Sequence, residues 1–328
     1  MAKILDLKTF WKLIPKIAVV EVGSRGGAFT DLDHIGDAIT YIGFEPDPDE
    51  CRRLNGPAGE ARALFSAQYV PVALGEEAGT GILFITSQPG CSSLLMPDAA
   101  LVSLYRRSHW FSVTHAVEVD LETLDGVAVE LGMPPIDFIK LDVEGSEAII
   151  LQGGEESLSG ILLGARIEVN FIRHRVNQPS SLDIIAKLEN YGLVPYRLLE
   201  SHSWRLDSTR SEKYVVRGPV PYARGQLAHG DILFLPPLPR AIEIAIRSPE
   251  RGVKLGALFV SYGLLDHARL LLSQEPVRRY MSEELNIEID PAAYRRESRK
   301  LLGRSVCQYF AEFAASVATA VSIFRRSN

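Results

Sequence analysis

The run "IDFIKLDVEGSEAIILQGG", residues 136–154, changes its period in the middle. Ile136 to Leu141 read as a buried strand. The strand stops at two carboxylates, Asp142 and Glu144, and the residues after them read as a short helix closed by glycine. In α/β proteins such strand ends gather function. The fold therefore turns on what else in the chain converges on this place.

Upstream, "IAVVEV" (17–22) reads as a second buried strand, followed by Gly23, "GGAFT" and a helix running toward Ile35. "AITYIGF" (38–44) is a third strand, closed by Glu45 and the turn formers "PDPDE", with a helix inside 48–55. "YVPVAL" (69–74), "GILFIT" (81–86) and "SVTHAVEV" (112–119) are further strands, with a helix in 91–107 and another in 121–131. Downstream, 161–171 contains a strand and 179–192 a helix capped by Ser180 or Ser181 and stopped at Gly192. Residues 193–199 and 231–236 suit a closing antiparallel hairpin. The alternation predicts an α/β fold, with a mostly parallel sheet covered on both faces. The pattern changes at "LPPLPR", and 241–247, 253–273 and 304–324 are apolar helical segments. The predicted division is 1–240 for the α/β domain and 241–328 for a helical extension. The last of these helices is expected to pack or to form a partner interface rather than to lie on a membrane surface, and a homo-oligomer through the C-terminal helices is one assembly this allows. Arg295, Arg296, Arg299, Lys300 and Arg304 form a basic surface patch within it.

The 328 residues, 46% of them hydrophobic, can bury a substantial core. Lys plus Arg total 35 against 41 Asp plus Glu, for a formal charge of -6, which argues against nucleic acid as a partner of the whole surface. Cys51, Cys91 and Cys307 are far apart and odd in number, as expected for reduced thiols in a cytoplasmic protein. The first residues lack a signal-peptide pattern, and the uncharged run 313–324 is too short to cross a bilayer, so no transmembrane segment is expected.

"VVEVGSRGG" sets Gly23 after a buried strand and Gly26 and Gly27 before the expected helix. Glycine lets backbone approach a ligand closely. Glu21, an acid just before the loop, suits either a cationic ligand or a loop held by the carboxylate's own hydrogen bonds. Glu45, at the end of the next strand, can accept the two hydroxyls of a ribose. The spacing is not Gly-x-Gly-x-x-Gly, which turns the reading from NAD toward S-adenosylmethionine.

These pieces resemble the FkbM-type methyltransferases. Glu21, Val22, Gly23, Ser24, Arg25, Gly26 and Gly27 match the family's glycine loop, and Phe44, Glu45 and Pro46 its aromatic-Glu-Pro step. Thr123, Leu124 and Asp125 match a Thr-Leu-Asp piece. Asp137, Lys140, Asp142, Glu144, Gly145, Glu147, Leu151 and Gly153 match its most specific pattern. The likeness spans about 17–236, with Glu21 for the usual Asp and Arg25 for a small Asn as departures. It implies a class I methyltransferase Rossmann-like fold with a mostly parallel seven-stranded sheet and an antiparallel closing strand. It also implies S-adenosylmethionine as cofactor, and O-methylation of a small-molecule or glycan acceptor. Glu21, Gly23, Ser24, Arg25, Gly27, Glu45 and Pro46 are then the expected cofactor residues.

Methyl transfer to a hydroxyl needs alignment and is helped by a base. Asp142, at the end of a central strand, is a candidate to take the proton, to orient the hydroxyl or to hold a divalent ion. Glu168, ending the next strand, flanks the same crevice. His174 is the best neutral base by type, although a histidine in a polar loop is also simple surface. His109 and His115 are weaker candidates. Lys140, unusual inside an apolar strand, is expected to bridge to one of the acids. Lys140 and Glu144 are set on the acceptor side, with Ser92 and Ser93 of "TSQPGCSSLL" as a substrate-facing loop. Glu147 reads as a helix cap. No zinc or Walker motif is present, and no metal is assigned. The competing readings are an NAD-type Rossmann oxidoreductase and a noncatalytic assembly protein on a degenerate methyltransferase scaffold.

Overall fold

The computed structural model describes residues 3–4, 7–57, 65, 67–206 and 225–288. In chain order the strands are β1 (Lys3–Ile4), β2 (Ile17–Val22), β3 (Ile39–Phe44), β4 (Ala67–Val70), β5 (Ala73–Gly75), β6 (Gly79–Thr86), β7 (Val113–Thr123), β8 (Phe138–Leu141), β9 (Gly164–Asn170), β10 (Val194–Leu198), β11 (His202–Trp204), β12 (Gln226–Leu235) and β13 (Ile287–Glu288). The main sheet has the order β10-β12-β9-β8-β2-β3-β4, with β11 also paired to β12. Its strands are parallel from β4 through β9, and β12 runs antiparallel to both β9 and β10. This is the predicted α/β, Rossmann-like sheet with an antiparallel closing strand, plus the short β11 that the sequence did not announce. The chain order reverses between β2 and β8. The crevice beyond their C-terminal ends is therefore the topological switch point, where ligands bind in such sheets.

"YVPVAL" is not one strand. Pro71 has no N–H to give a ladder, and the run breaks there. β4 stays in the main sheet, while β5 joins β7 and β6 in a separate three-stranded sheet. β6 and β7 form the antiparallel pair of that sheet.

Residues alternate between the two faces of each strand. One face packs Val20, Val22, Ile139, Leu141, Ile167 and Val169 against the helices Leu124–Glu130, Glu147–Gln152 and Ser181–Asn190. Ser180 caps the last of these, with Asp183 completing a capping box. The opposite face is divided. Toward the strand N-termini it is apolar, with Ile17, Val19 and Phe138 buried in a second core. Toward the C-termini it carries Glu21, Lys140, Asp142, Arg166 and Glu168.

The second core is closed by the helices Leu238–Arg247, Pro249–Ser261, Leu265–Leu272 and Glu275–Glu283. The segment expected as one helix over 253–273 is two, because Gly263 turns the chain at φ +72°. Tyr262 stacks on Phe138 at 5.9 Å, and Lys254 Nζ lies 2.9 Å from Asp137 Oδ2 at the start of β8. The predicted helix 304–324 and the basic patch at 295–304 lie outside the described residues. Among the described residues, no helix is long and apolar enough to cross a membrane.

Asp137 is buried and also accepts from the Ala18 amide at 2.9 Å. Removing its cation strands a buried carboxylate. Lys254→Ala is expected to cost about 3 kcal/mol in denaturant unfolding, and Lys254→Ala combined with Asp137→Asn should recover part of that loss.

Candidate active site

The centre of the crevice is a buried ion triplet. β2 and β8 pair in register with Glu21 opposite Lys140, so the two side chains leave the same face. Lys140 Nζ lies 2.9 Å from Glu21 Oε1 and 3.1 Å from Asp142 Oδ2. The expected bridge to one acid is a bridge to two. Burial works against the ammonium, but Glu21 and Asp142 outweigh it and raise the pKa of Lys140. Glu21 is 2% exposed. Its Oε2 accepts from the Tyr41 hydroxyl at 2.5 Å and from the Phe29 amide at 2.9 Å. Of the two roles open to Glu21, the hydrogen bonds within the loop are the ones it makes here. The Asp142 side chain remains 39% exposed.

No α-helix follows the glycine loop. The helix expected toward Ile35 is a 3-10 segment, Asp33–Ala38. Side chains hold the loop amides that a helix would have freed: Gly26 N donates to Glu50 Oε1 at 2.9 Å and Ala28 N to the Tyr69 hydroxyl at 3.0 Å. Gly23 and Ser24 both donate to the Phe44 carbonyl at 3.1 Å, and Gly27 N donates to the Ser24 carbonyl at 3.0 Å. Gly23 has φ +85°, and a Cβ there would overlap the Asp142 carbonyl. The loop after β2 and the turn after β8 thus touch backbone to backbone. Ser24 is fully buried, and its hydroxyl has no partner among the described residues.

Glu45 is buried at the end of β3. Its Oε1 accepts the Asp47 amide at 3.0 Å and lies 3.6 Å from Arg25, whose other nitrogen reaches Asp47 Oδ2 at 3.2 Å. Burial pushes Glu45 up, against the pull of that amide and of Arg25. Pro46 leads into the helix Pro48–Leu54, which Asp47 caps.

The turn after β8 is left-handed at Glu144 (φ +60°) and Gly145 (φ +113°). Glu147 holds it from below, accepting from Val143 N at 3.2 Å and Gly145 N at 3.0 Å. Burial, with Asp142 nearby, raises the Glu147 carboxyl to about 7. Glu144 meets Arg175 at 2.9 Å. Burial alone would raise Glu144, yet His174 and Arg175 hold it below the usual range. Arg175 also donates to the carbonyls of Cys91 and Leu95 at 2.7 and 3.2 Å. One guanidinium thereby ties the turn after β8 to the loop expected to face substrate. Within that loop Ser92 Oγ accepts Thr86 N at 3.2 Å and Ser93 Oγ accepts Leu95 N at 3.1 Å. Both serines support local turns.

Glu168 follows Ile167, the register partner of Leu141, so Glu168 and Asp142 stand side by side. Glu168 is buried, and its Oε1 lies 2.9 Å from His229 Nδ1 on β12. Burial, then Glu144, Asp142 and the other acids around it, push Glu168 well up. His174 is no surface residue. It is buried against Phe111 and Trp204, with Nδ1 3.2 Å from the Ile172 carbonyl and Nε2 3.9 Å from Glu144. Packing of the loop on β11 and β12 explains this, and that packing depends on long-range contacts. His229, Arg175, Asn170 and Tyr41 were not singled out by sequence reading. The antiparallel register of β9 with β12, which sets His229 opposite Asn170, has no local signal. Among the described residues no group of three or more His, Cys, Asp or Glu is arranged to hold a metal ion.

Two halves thus meet at one rim: the glycine loop with Ser24 and Glu45, and the acids after β8 and β9. Residues 21–195 match the family model described as the methyltransferase FkbM domain. A search of curated proteins returns no match. Among solved structures, a methyltransferase FkbM from Methylobacillus flagellatus KT is similar at 15% identity and a TM-score of 0.32. The similarity covers 67% of this chain and 43% of that one. A protein from Thermoplasma acidophilum, provisionally assigned as a methyltransferase, is similar at 9% identity and a TM-score of 0.32. There the coverage is 68% of this chain and 69% of the other.

Glu147 gives this rim a pH signature. A carboxyl raised by folding binds protons that the unfolded chain has released, so its contribution is lost as pH rises from the unfolded value toward about 7. Glu147→Gln keeps an oxygen for the turn amides and removes the titration. The wild type should lose about 3 kcal/mol relative to Glu147→Gln between pH 5 and 8, measured by denaturant unfolding at each pH.

Proposed function

Because the chain belongs to the FkbM methyltransferase family, we propose that it uses S-adenosylmethionine to methylate a hydroxyl of a small-molecule or sugar-containing acceptor. The observation that carries this reading is the pressed contact of Gly23 on the Asp142 carbonyl, with Glu45 and the unpartnered Ser24 hydroxyl beside it. A side chain at position 23 would force the glycine loop away from the turn after β8. Glu45 offers a carboxylate at the strand end where ribose hydroxyls are bound in related sheets, and the contacts of Glu45 within the protein fall on Oε1. The Ser24 hydroxyl is a buried polar group in need of a partner. These residues fit a nucleoside.

S-adenosylmethionine supplies an electrophilic methyl on a sulfonium: the acceptor oxygen forms the new C–O bond, sulfur keeps the C–S pair, and one proton must leave the oxygen. The chain's part is alignment, exclusion of water and care of that proton. Asp142 is placed to orient the hydroxyl, held in one rotamer by Lys140. Arg175 fixes the 91–95 loop over the rim. The assembly reading draws no specific support from this geometry, and the NAD reading lacks its glycine pattern.

Calorimetric titration with S-adenosylhomocysteine tests the proposal. Saturable binding is expected, and Gly23→Ala should weaken it about tenfold or more. No heat at millimolar ligand would end the reading. Asp142→Asn should retain binding while losing turnover of a responsive acceptor, and full turnover in that variant would leave Asp142 as scaffold.

A further inference from the structure

We propose that His229, oriented by Glu168, is the catalytic residue that takes the proton from the acceptor's hydroxyl. This rests on the methyl-transfer reading above and concerns a residue outside the family's glycine loop and Asp-Val-Glu-Gly turn. His229 lies on β12, antiparallel to β9, and so reaches the rim from the strand beside Glu168. Nδ1 faces Glu168 Oε1 at 2.9 Å, while Asn170 Nδ2 approaches the other oxygen at 3.5 Å. The carboxylate is 9% exposed and the imidazole 27%, so the orienting group is dry and the ring can be reached. His202 stacks flat on the ring at 4.6 Å, and Trp204 meets it edge-on at 6.3 Å. These contacts fix the ring plane and leave Nε2 without a partner among the described residues. A base held at one nitrogen by a buried carboxylate, with its second nitrogen open, is the arrangement that general-base chemistry uses.

The other candidates at the rim are less suited. His174 is 2% exposed, and its Nε2 is buried without a hydrogen-bond partner among the described residues. Asp142 has one oxygen already engaged by Lys140.

The groups facing His229 are Glu168 and Asn170 on β9, Asp142 and Glu144 from the turn after β8, His174 from the loop after β9, and His202 on β11. Burial, then His202, lowers His229, while burial raises Glu168. In the proton-accepting form Glu168 is a carboxylate that accepts from Nδ1–H, and Nε2 bears the lone pair. In the reaction Nε2 takes the hydroxyl proton, giving an imidazolium beside the Glu168 carboxylate while the acceptor becomes its methyl ether.

The test uses the whole protein labelled with 15N-histidine, with His229→Gln assigning the His229 resonances in two-bond nitrogen–proton spectra. The expected result is an Nε2 titration midpoint lower with S-adenosylmethionine bound than with S-adenosylhomocysteine, by about half a pH unit or more, because the sulfonium charge disfavours a proton nearby. Glu168→Gln should move the midpoint downward. Equal midpoints with both ligands bound, as judged by calorimetry, would place His229 away from the transferred methyl and overturn the proposal. Should Glu168→Gln fold and leave the midpoint unchanged, Glu168 would not orient the ring and the proposal would fail. The comparison of the two ligands on the wild-type protein decides the matter even if that variant does not fold. Absence of binding by either ligand would instead sink the methyl-transfer reading itself.

Discussion

A lysine in the middle of a buried sheet must be compensated, and the whole rim is arranged around that requirement. An ammonium taken out of water costs several kcal/mol unless carboxylates meet it with good geometry. Lys140 meets Glu21 and Asp142 at 2.9 and 3.1 Å. Glu21 can do this only because β2 and β8 are register partners at these two positions. Having been fixed, Glu21 uses its second oxygen to hold Phe29 N and the Tyr41 hydroxyl. The same ion pair therefore joins two strands, orients the acid after β8 and closes the glycine loop without a helix.

That arrangement asks something of the rest of the molecule. The sheet face carrying the triplet is polar near the strand C-termini and apolar below, and the apolar part needs cover. The helices between Leu238 and Glu283 supply it, through Ala241, Val253, Leu258, Phe259 and Met281 in a cluster shared with Ile17, Val19 and Phe138. The contact is not only apolar. Arg197 donates to the Tyr262 carbonyl at 3.2 Å, and Lys254 neutralises Asp137 at the foot of β8. These helices form the wall behind the strand that carries Lys140 and Asp142.

The central strands and the placement of the rim acids were legible because they are local in sequence. "IAVVEV" and "FIKL" are buried along their whole length, and continuous apolar runs report a sheet covered on both sides. Asp142 and Glu168 could be placed from strand ends alone. What the sequence did not disclose depends on partners far along the chain. Gly26 and Gly27 before an apolar stretch look like a helix start, yet Glu50, Tyr69 and Glu21 take amides of this loop from 8 to 41 residues away. His174 reads as surface because "FIRHR" is polar, and it is buried because Phe111 and Trp204 close on it. "YVPVAL" reads as one strand because hydrophobicity does not say which sheet a residue joins.

Five acids near one rim raise a question of charge that burial answers. Glu21, Asp142, Glu144, Glu147 and Glu168 cannot all be ionised in a dry crevice at low cost. Lys140 serves the first two, and Arg175 serves Glu144. Glu147 leans on two amides and is left with a carboxyl that titrates near neutrality, and Glu168, with an imidazole for a partner, retains its proton to higher pH. Among these five acids, the three with a cationic partner share two cations, an excess of one negative charge within the set. An anionic cofactor such as a pyrophosphate would meet that excess as repulsion. A ligand with a single compensating positive charge would meet it as attraction, strengthened by the low dielectric of the crevice. The charge balance thus favours a cationic ligand, while the Gly23 contact presses the glycine loop against the turn after β8 that flanks the same crevice.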